Sequence, residues 1–100
     1  MSEEWNTAVP KRVFNEHKTV TNPGTAEALG ADQPIRSVVI KALKSNTGII
    51  YVGNEDVDST NGLELESGES VPFDIDNLNK FWLDVEAGHG GEGVSYAAVL

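Results

Sequence analysis

The 100-residue chain contains no cysteine, which excludes disulfide cross-links, thiolate metal sites and a cysteine nucleophile, and leaves packing or assembly to hold the fold. Basic side chains are scarce. Seven Lys+Arg against sixteen Asp+Glu give a formal charge of −9, a field that repels phosphate backbones, so direct nucleic-acid binding is not expected. No apolar run approaches the roughly 20 residues that span a bilayer, and Met1-Ser2-Glu3-Glu4 carries neither the basic nor the apolar stretch of a secretion signal. The expectation is a soluble protein assembled in a cell's cytoplasm, with no membrane partner. Aromatic residues make up only 7%, so each one is informative: Trp5, Phe14, Tyr51, Phe73, Phe81, Trp82 and Tyr96.

A chain of this length buries roughly 65% of its unfolded surface, enough for one modest core and not for two domains. The apolar fraction of 39% is sufficient to build that core. Charge is unevenly placed. Residues 1–44 hold six basic and five acidic side chains (+1), whereas residues 45–100 hold one basic and eleven acidic ones (−10), so the acidic surface belongs to the second half.

Residues 1–34 read as an extended N-terminal arm, with Pro10 and Pro23 and scattered apolar residues at no sustained period. Within it, 12–20 has the composition of a first strand, and Thr25–Gly30 that of a single helical turn. From Ile35 onward, short β-rich runs alternate with Gly, Asn, Asp and Ser at spacings of about 8–12 residues, the pattern of an antiparallel sandwich. Residues 35–100 are therefore expected to form an all-β domain, a sandwich or jelly roll of six to eight strands. Val38, Ile40 and Ala42 share one face of a strand that turns at Ser45–Gly48 and returns through Ile49–Val52, which reads as a hairpin. Val71, Phe73 and Ile75 alternate with Pro72, Asp74 and Asp76; Pro72 places this strand at an edge. Phe81, Leu83 and Val85 oppose Trp82, Asp84 and Glu86, and Val94, Tyr96 and Ala98 line a closing strand.

Several groups invite a chemical reading. Asn54-Glu55-Asp56-Val57-Asp58 gathers oxygen ligands, but the spacing does not match a calcium loop, and a solvated polar loop accounts for it. Asp74 and Asp76 share a strand face and resemble a carboxylate pair; on an edge strand they discourage aggregation instead. His17 and His89 lack partners in the sequence for a metal set or a nucleophile triad. Gly88–Gly93 holds four glycines but precedes a strand, which excludes a phosphate loop. Neither metal nor cofactor nor catalysis is expected. Trp82, Tyr51 and Tyr96 could together offer a stacking platform for sugars. Trp5, Val9 and Phe14 would sit poorly in water, so they serve either as docking anchors or as a flap over the chain's own sandwich. Trp82, on the polar side of its strand, is exposed, covered by the arm, or buried between subunits.

The run Lys41-Ala42-Leu43-Lys44-Ser45-Asn46-Thr47-Gly48-Ile49-Ile50-Tyr51-Val52-Gly53, followed by Asn61-Gly62, Ser67-Gly68-Glu69-Ser70-Val71 and Asp74-Ile75-Asp76-Asn77-Leu78-Asn79-Lys80, resembles a module of small structural proteins of tailed bacteriophages, prophages and related archaeal viruses. The resemblance spans residues 36–100. It implies a β fold and a place on a virion as a capsid decoration, head fibre or tail accessory protein rather than an active site. The implied partner is a major capsid protein or another virion structural protein. The candidate contact residues are Trp5, Val9, Phe14 and Trp82, on the arm or between copies of a homo-oligomer, with a trimer favoured. The competing expectation is a carbohydrate-binding module for host attachment.

Overall fold

A computed structural model describes residues 12–100; Trp5 and Val9 lie outside them. Among the described residues, eight strands form: β1 (Val13–Thr19), β2 (Glu27–Ala28), β3 (Ser37–Ala42), β4 (Ile50–Gly53), β5 (Leu63–Leu65), β6 (Ser70–Asp74), β7 (Trp82–Val85) and β8 (Gly93–Val99). A 3₁₀ turn at Leu78–Lys80 leads into β7, capped where the Asn77 side chain accepts the Asn79 N–H.

The strands make two four-stranded sheets, ordered β1-β8-β3-β6 and β2-β7-β4-β5. Every ladder is antiparallel, and β1 pairs with β8, β2 with β7, β3 with β6 and β4 with β5. Those four nested pairs are one long hairpin folded over, its successive pairs alternating between sheets. That is the double-sheet, eight-stranded jelly roll.

The core lies between the sheets because each strand's alternation puts one side chain in two inward. Across the first sheet, Phe14, Ala98, Val38 and Phe73 stand in one row, and Tyr96, Ile40 and Val71 in the next. They pack against Ile50, Val52, Leu65, Leu83 and Val85 of the second sheet. Leu83 is fully buried, a placement that contributes about 2–3 kcal/mol. Leu29 and Leu78, from connecting segments, join the core. The β6 strand lies at an edge, where Pro72 removes an N–H the ladder can spare.

Two sequence expectations are corrected. Residues 36–52 do not form a hairpin: β3 and β4 belong to different sheets, and the chain between them crosses the sandwich. Ile50 and Val52 are buried by facing the first sheet, not by pairing with β3. Thr25–Gly30 forms no helical turn. Glu27 and Ala28 pair with Leu83 and Trp82 instead, and six residues cannot offset the cost of helix nucleation. Glu27 is fixed there by the Lys18 ammonium at 2.8 Å and the Thr21 N–H at 2.8 Å, contacts that hold its carboxyl below the usual range.

Candidate functional site

The outer face of the first sheet presents three rows across the strand order. They are Val13, Val99, Ser37 and Asp74; Asn15, Ala97, Val39 and Pro72; and His17, Ser95 and Lys41 with Ser70. Val13 is 65% and Val39 44% exposed, and Ala97 and Pro72 are also open to solvent. A shallow groove of about 330 Å³ runs between β1, β8 and β3 past Asn15, Val39 and Ala97. The centre of the face is small and apolar, with Lys41 and His17 towards one end and Asp74 at the other.

The outer face of the second sheet is different, because the chain folds back over part of it. Tyr51 and Asp84, directly opposite each other on β4 and β7, are 6% and 2% exposed. The loop between β4 and β5 lies over them. Its Val57 is buried, and a Cβ on Gly62 would meet Tyr51 Cβ at 2.5 Å, so the returning leg can approach Tyr51 only through glycine. Burial, aided by the nearby carboxylates of Glu86, Glu64 and Asp84, pushes the Tyr51 hydroxyl pKa up. Asp84 Oδ1 accepts N–H bonds from Gly24 at 2.9 Å and Val85 at 2.8 Å.

The side chains of Asn54, Asp58 and Asn61 in this loop are engaged locally. Asn54 Oδ1 accepts from the Asp56 N–H, Asn61 Oδ1 from the Asp58 N–H, and Asp58 Oδ1 from the Thr60 hydroxyl and N–H. The Thr60 hydroxyl is the main cause of the lowered Asp58 pKa. These are Asx-type turns that shape the loop. Among the described residues, no group of three or more His, Asp or Glu side chains is placed to hold a metal ion.

Farther along the same sheet, Trp82 is half-buried in an open cleft of about 470 Å³, lined with Asn54, Glu55, Asn79 and Lys80. Its indole N–H donates to the Asn79 carbonyl at 3.2 Å. Tyr96, on the first sheet, packs in the core, and Tyr51 lies under the loop. The three aromatics therefore form no common platform. Phe14 turns inward, its ring 6.2 Å from that of Tyr96, so it packs on the chain's own sandwich.

The most connected polar cluster joins the turn after β3 to the glycine loop before β8. Glu92 Oε2 accepts the Thr47 N–H at 3.1 Å and its hydroxyl at 2.9 Å, and Oε1 accepts the Gly48 N–H at 2.9 Å. Burial opposes ionisation of Glu92, but the N–H groups of Thr47 and Gly48, the Thr47 hydroxyl and His89 outweigh it and hold the carboxyl at about 2. His89 Nδ1 lies 3.1 Å from Thr47 Oγ1 and 3.3 Å from Glu92 Oε2. A hydroxyl, an imidazole and a carboxylate thus meet, so His89, which has no such partners near it in sequence, finds them through the fold. A relay uses both ring nitrogens, one towards the nucleophile and one towards the acid. Here both partners share Nδ1, and the threonine proton already points at Glu92. The cluster is a clamp, continued by Asn46, whose amide exchanges hydrogen bonds with the Gly93 backbone. Asp76 belongs to neither cluster, pairing instead with Lys80 at 2.8 Å.

No protein-family model matches the sequence, and no curated protein does. A solved structure distantly similar to the chain is that of the SPBc2 prophage-derived protein YomS. It shares 20% identity over 92% of this chain and 98% of that one, with a TM-score of 0.47. At that distance the likeness leaves function to be argued from the surfaces described above.

Proposed function

We propose that this chain is a non-enzymatic structural protein of a virus particle, a capsid decoration protein or another accessory of the head or tail. It docks through the outer face of the first sheet, and the segment ahead of Arg12 supplies Trp5 and Val9 as further anchors. The observation that carries this reading is the open apolar surface of that face, with Val39, Ala97 and Pro72 at its centre and Val13 in an end row on the edge strand β1; Val13 and Val39 are two of the three exposed large hydrophobics among the described residues. Exposed apolar side chains that adjoin one another across a flat face, as Val39, Ala97 and Pro72 do, favour a partner surface over water. The resemblance of its turn and strand phrases to those of small phage structural proteins supports the context, and jelly rolls serve in viral capsids.

Four strands about 4.8 Å apart and five residues at about 3.4 Å each give this face a footprint of roughly 300 Å². A stable interface buries roughly 800 Å² per partner. One face alone therefore holds weakly. Retention on a particle requires the N-terminal anchors and several linked copies, as a homo-oligomer (a trimer in this reading) on a repeating lattice of the major capsid protein or another virion protein supplies.

The test is mass spectrometry of purified particles from the producing host, followed by add-back of the full chain and of a chain lacking residues 1–11. The expected result is a fixed copy number per particle and at least tenfold weaker retention of the shortened chain. Absence from the particles, or equal retention of both chains, overturns the proposal.

A further inference from the structure

We propose that the Trp82 cleft is a binding site for a neutral saccharide. In register, Trp82 is flanked by Ala28 on β2 and Gly53 on β4, so neither adjacent strand puts a bulky side chain beside the indole; the space over Gly53 is taken by Val57 of the β4–β5 loop, which walls the cleft on that side. The hydrogen bond from its N–H to the Asn79 carbonyl fixes the ring's orientation, which lowers the ordering cost of binding. The adjacent Phe81 has its own partner, Phe73, at a ring separation of 4.4 Å. Among the described residues, Trp82 is the aromatic left on an outer face with its ring lining a cleft.

The rim supplies what a ring of hydroxyls needs. Asn54 and Glu55 come from the β4–β5 loop, and Asn79 and Lys80 from the 3₁₀ turn. Together they offer amide donors and acceptors, a carboxylate acceptor and an ammonium donor. A pyranose lays its C–H face on the indole and turns its equatorial hydroxyls to such a rim, and few polar groups around an aromatic floor is the usual composition of a ligand cleft. Lys80 is already paired with Asp76 at 2.8 Å, so Glu55 leaves the rim with a single net negative charge, and together with the protein's charge of −9 it disfavours polyanionic glycans. The site lies on the sheet opposite the proposed docking face, so occupation of one leaves the other free.

The experiment is saturation-transfer NMR on the full chain with cellotriose, maltotriose and chitotriose, each up to about 10 mM. Indole fluorescence of the Trp5→Phe variant is followed in parallel, with Trp82 as its sole tryptophan. At least one trisaccharide is expected to receive saturation on the C–H protons of one ring face and to shift the fluorescence. Trp82→Ala should weaken that binding about tenfold or more, and Trp82→Phe, which keeps a stacking surface, less. If Trp82→Ala does not fold, the exposed pair Glu55→Ala and Asn79→Ala replaces it, with severalfold weaker binding expected. The proposal fails if none of the three sugars gains saturation, or if transfer survives both sets of substitutions. It also fails if choline binds where sugars do not, or if Trp82→Ala changes the oligomeric state, which would make the ring a subunit contact.

Discussion

The Gly24 N–H donates to Asp84 Oδ1 at 2.9 Å across 60 residues of sequence, tying the β1–β2 connection to the outer face of β7. Asp84 is 2% exposed, and the same oxygen also receives the Val85 N–H. Replacing it by alanine leaves two N–H donors without their acceptor beneath a covering segment. Asp84→Ala should therefore destabilise the chain by about 2–3 kcal/mol, and Asp84→Asn, which keeps an acceptor oxygen, by less. Urea unfolding of the two variants checks the order.

Glu92 makes stability depend on acid. Its folded pKa of about 2 lies below the ordinary 4.5, so its contribution is fully present above about pH 5 and fades as pH falls towards 2. Allowing for screening at a partly exposed site, the contribution is on the order of 2 kcal/mol. Glu92→Gln should lose about that much at pH 7 and much less near pH 2. The measurement is the stability difference between the two proteins across this range, which cancels the other carboxylates.

The strands and their inward faces were legible because alternation reports burial directly: Val38, Ile40 and Ala42, or Val94, Tyr96 and Ala98, face inward whichever strand lies beside them. Pairing was not. Ile50 and Val52 satisfy the same pattern whether they return beside β3 or cross to the opposite sheet, and only the closure of β3 on β6 and β8 decides. Asp84 and Tyr51 escaped for another reason. They are on the outer side of their strands, and their burial depends on the path of a loop whose covering residues, Val57 and Gly62, form no periodic signal. The Glu92 clamp joins residues 45 apart, a distance at which spacing says nothing.

Gly48 and His89 test the clamp sterically. A Cβ on Gly48 would meet the His89 ring at 2.5–2.8 Å, closer than any tolerated contact. Gly48→Ala should cost about 1–3 kcal/mol through overpacking. Trimming the ring removes the clash, so Gly48→Ala combined with His89→Ala should recover much of that loss relative to His89→Ala alone. A double-mutant cycle by thermal or urea unfolding reads the coupling. Additive costs would place the strain of Gly48→Ala in the backbone rather than against the ring.

Val39 separates stability from docking. Its side chain is 44% exposed on the outer face of the first sheet, beside Ala97 of β8 and Pro72 of β6, and it contributes nothing to the core between the sheets. A carboxylate there stays hydrated in the free protein, so Val39→Glu should change unfolding free energy by no more than about 0.5–1 kcal/mol. Against a partner surface the same carboxylate is desolvated in the apolar centre of a small contact, with Asp74 adding negative charge at one end of the face. Desolvating an unpaired charge costs several kcal/mol, so particle retention should fall by at least tenfold. Val39→Thr, close in shape and uncharged, should retain most of the binding. If Val39→Glu loads as the parent does, this face is not where the particle is met, and docking would have to rest on the N-terminal segment alone.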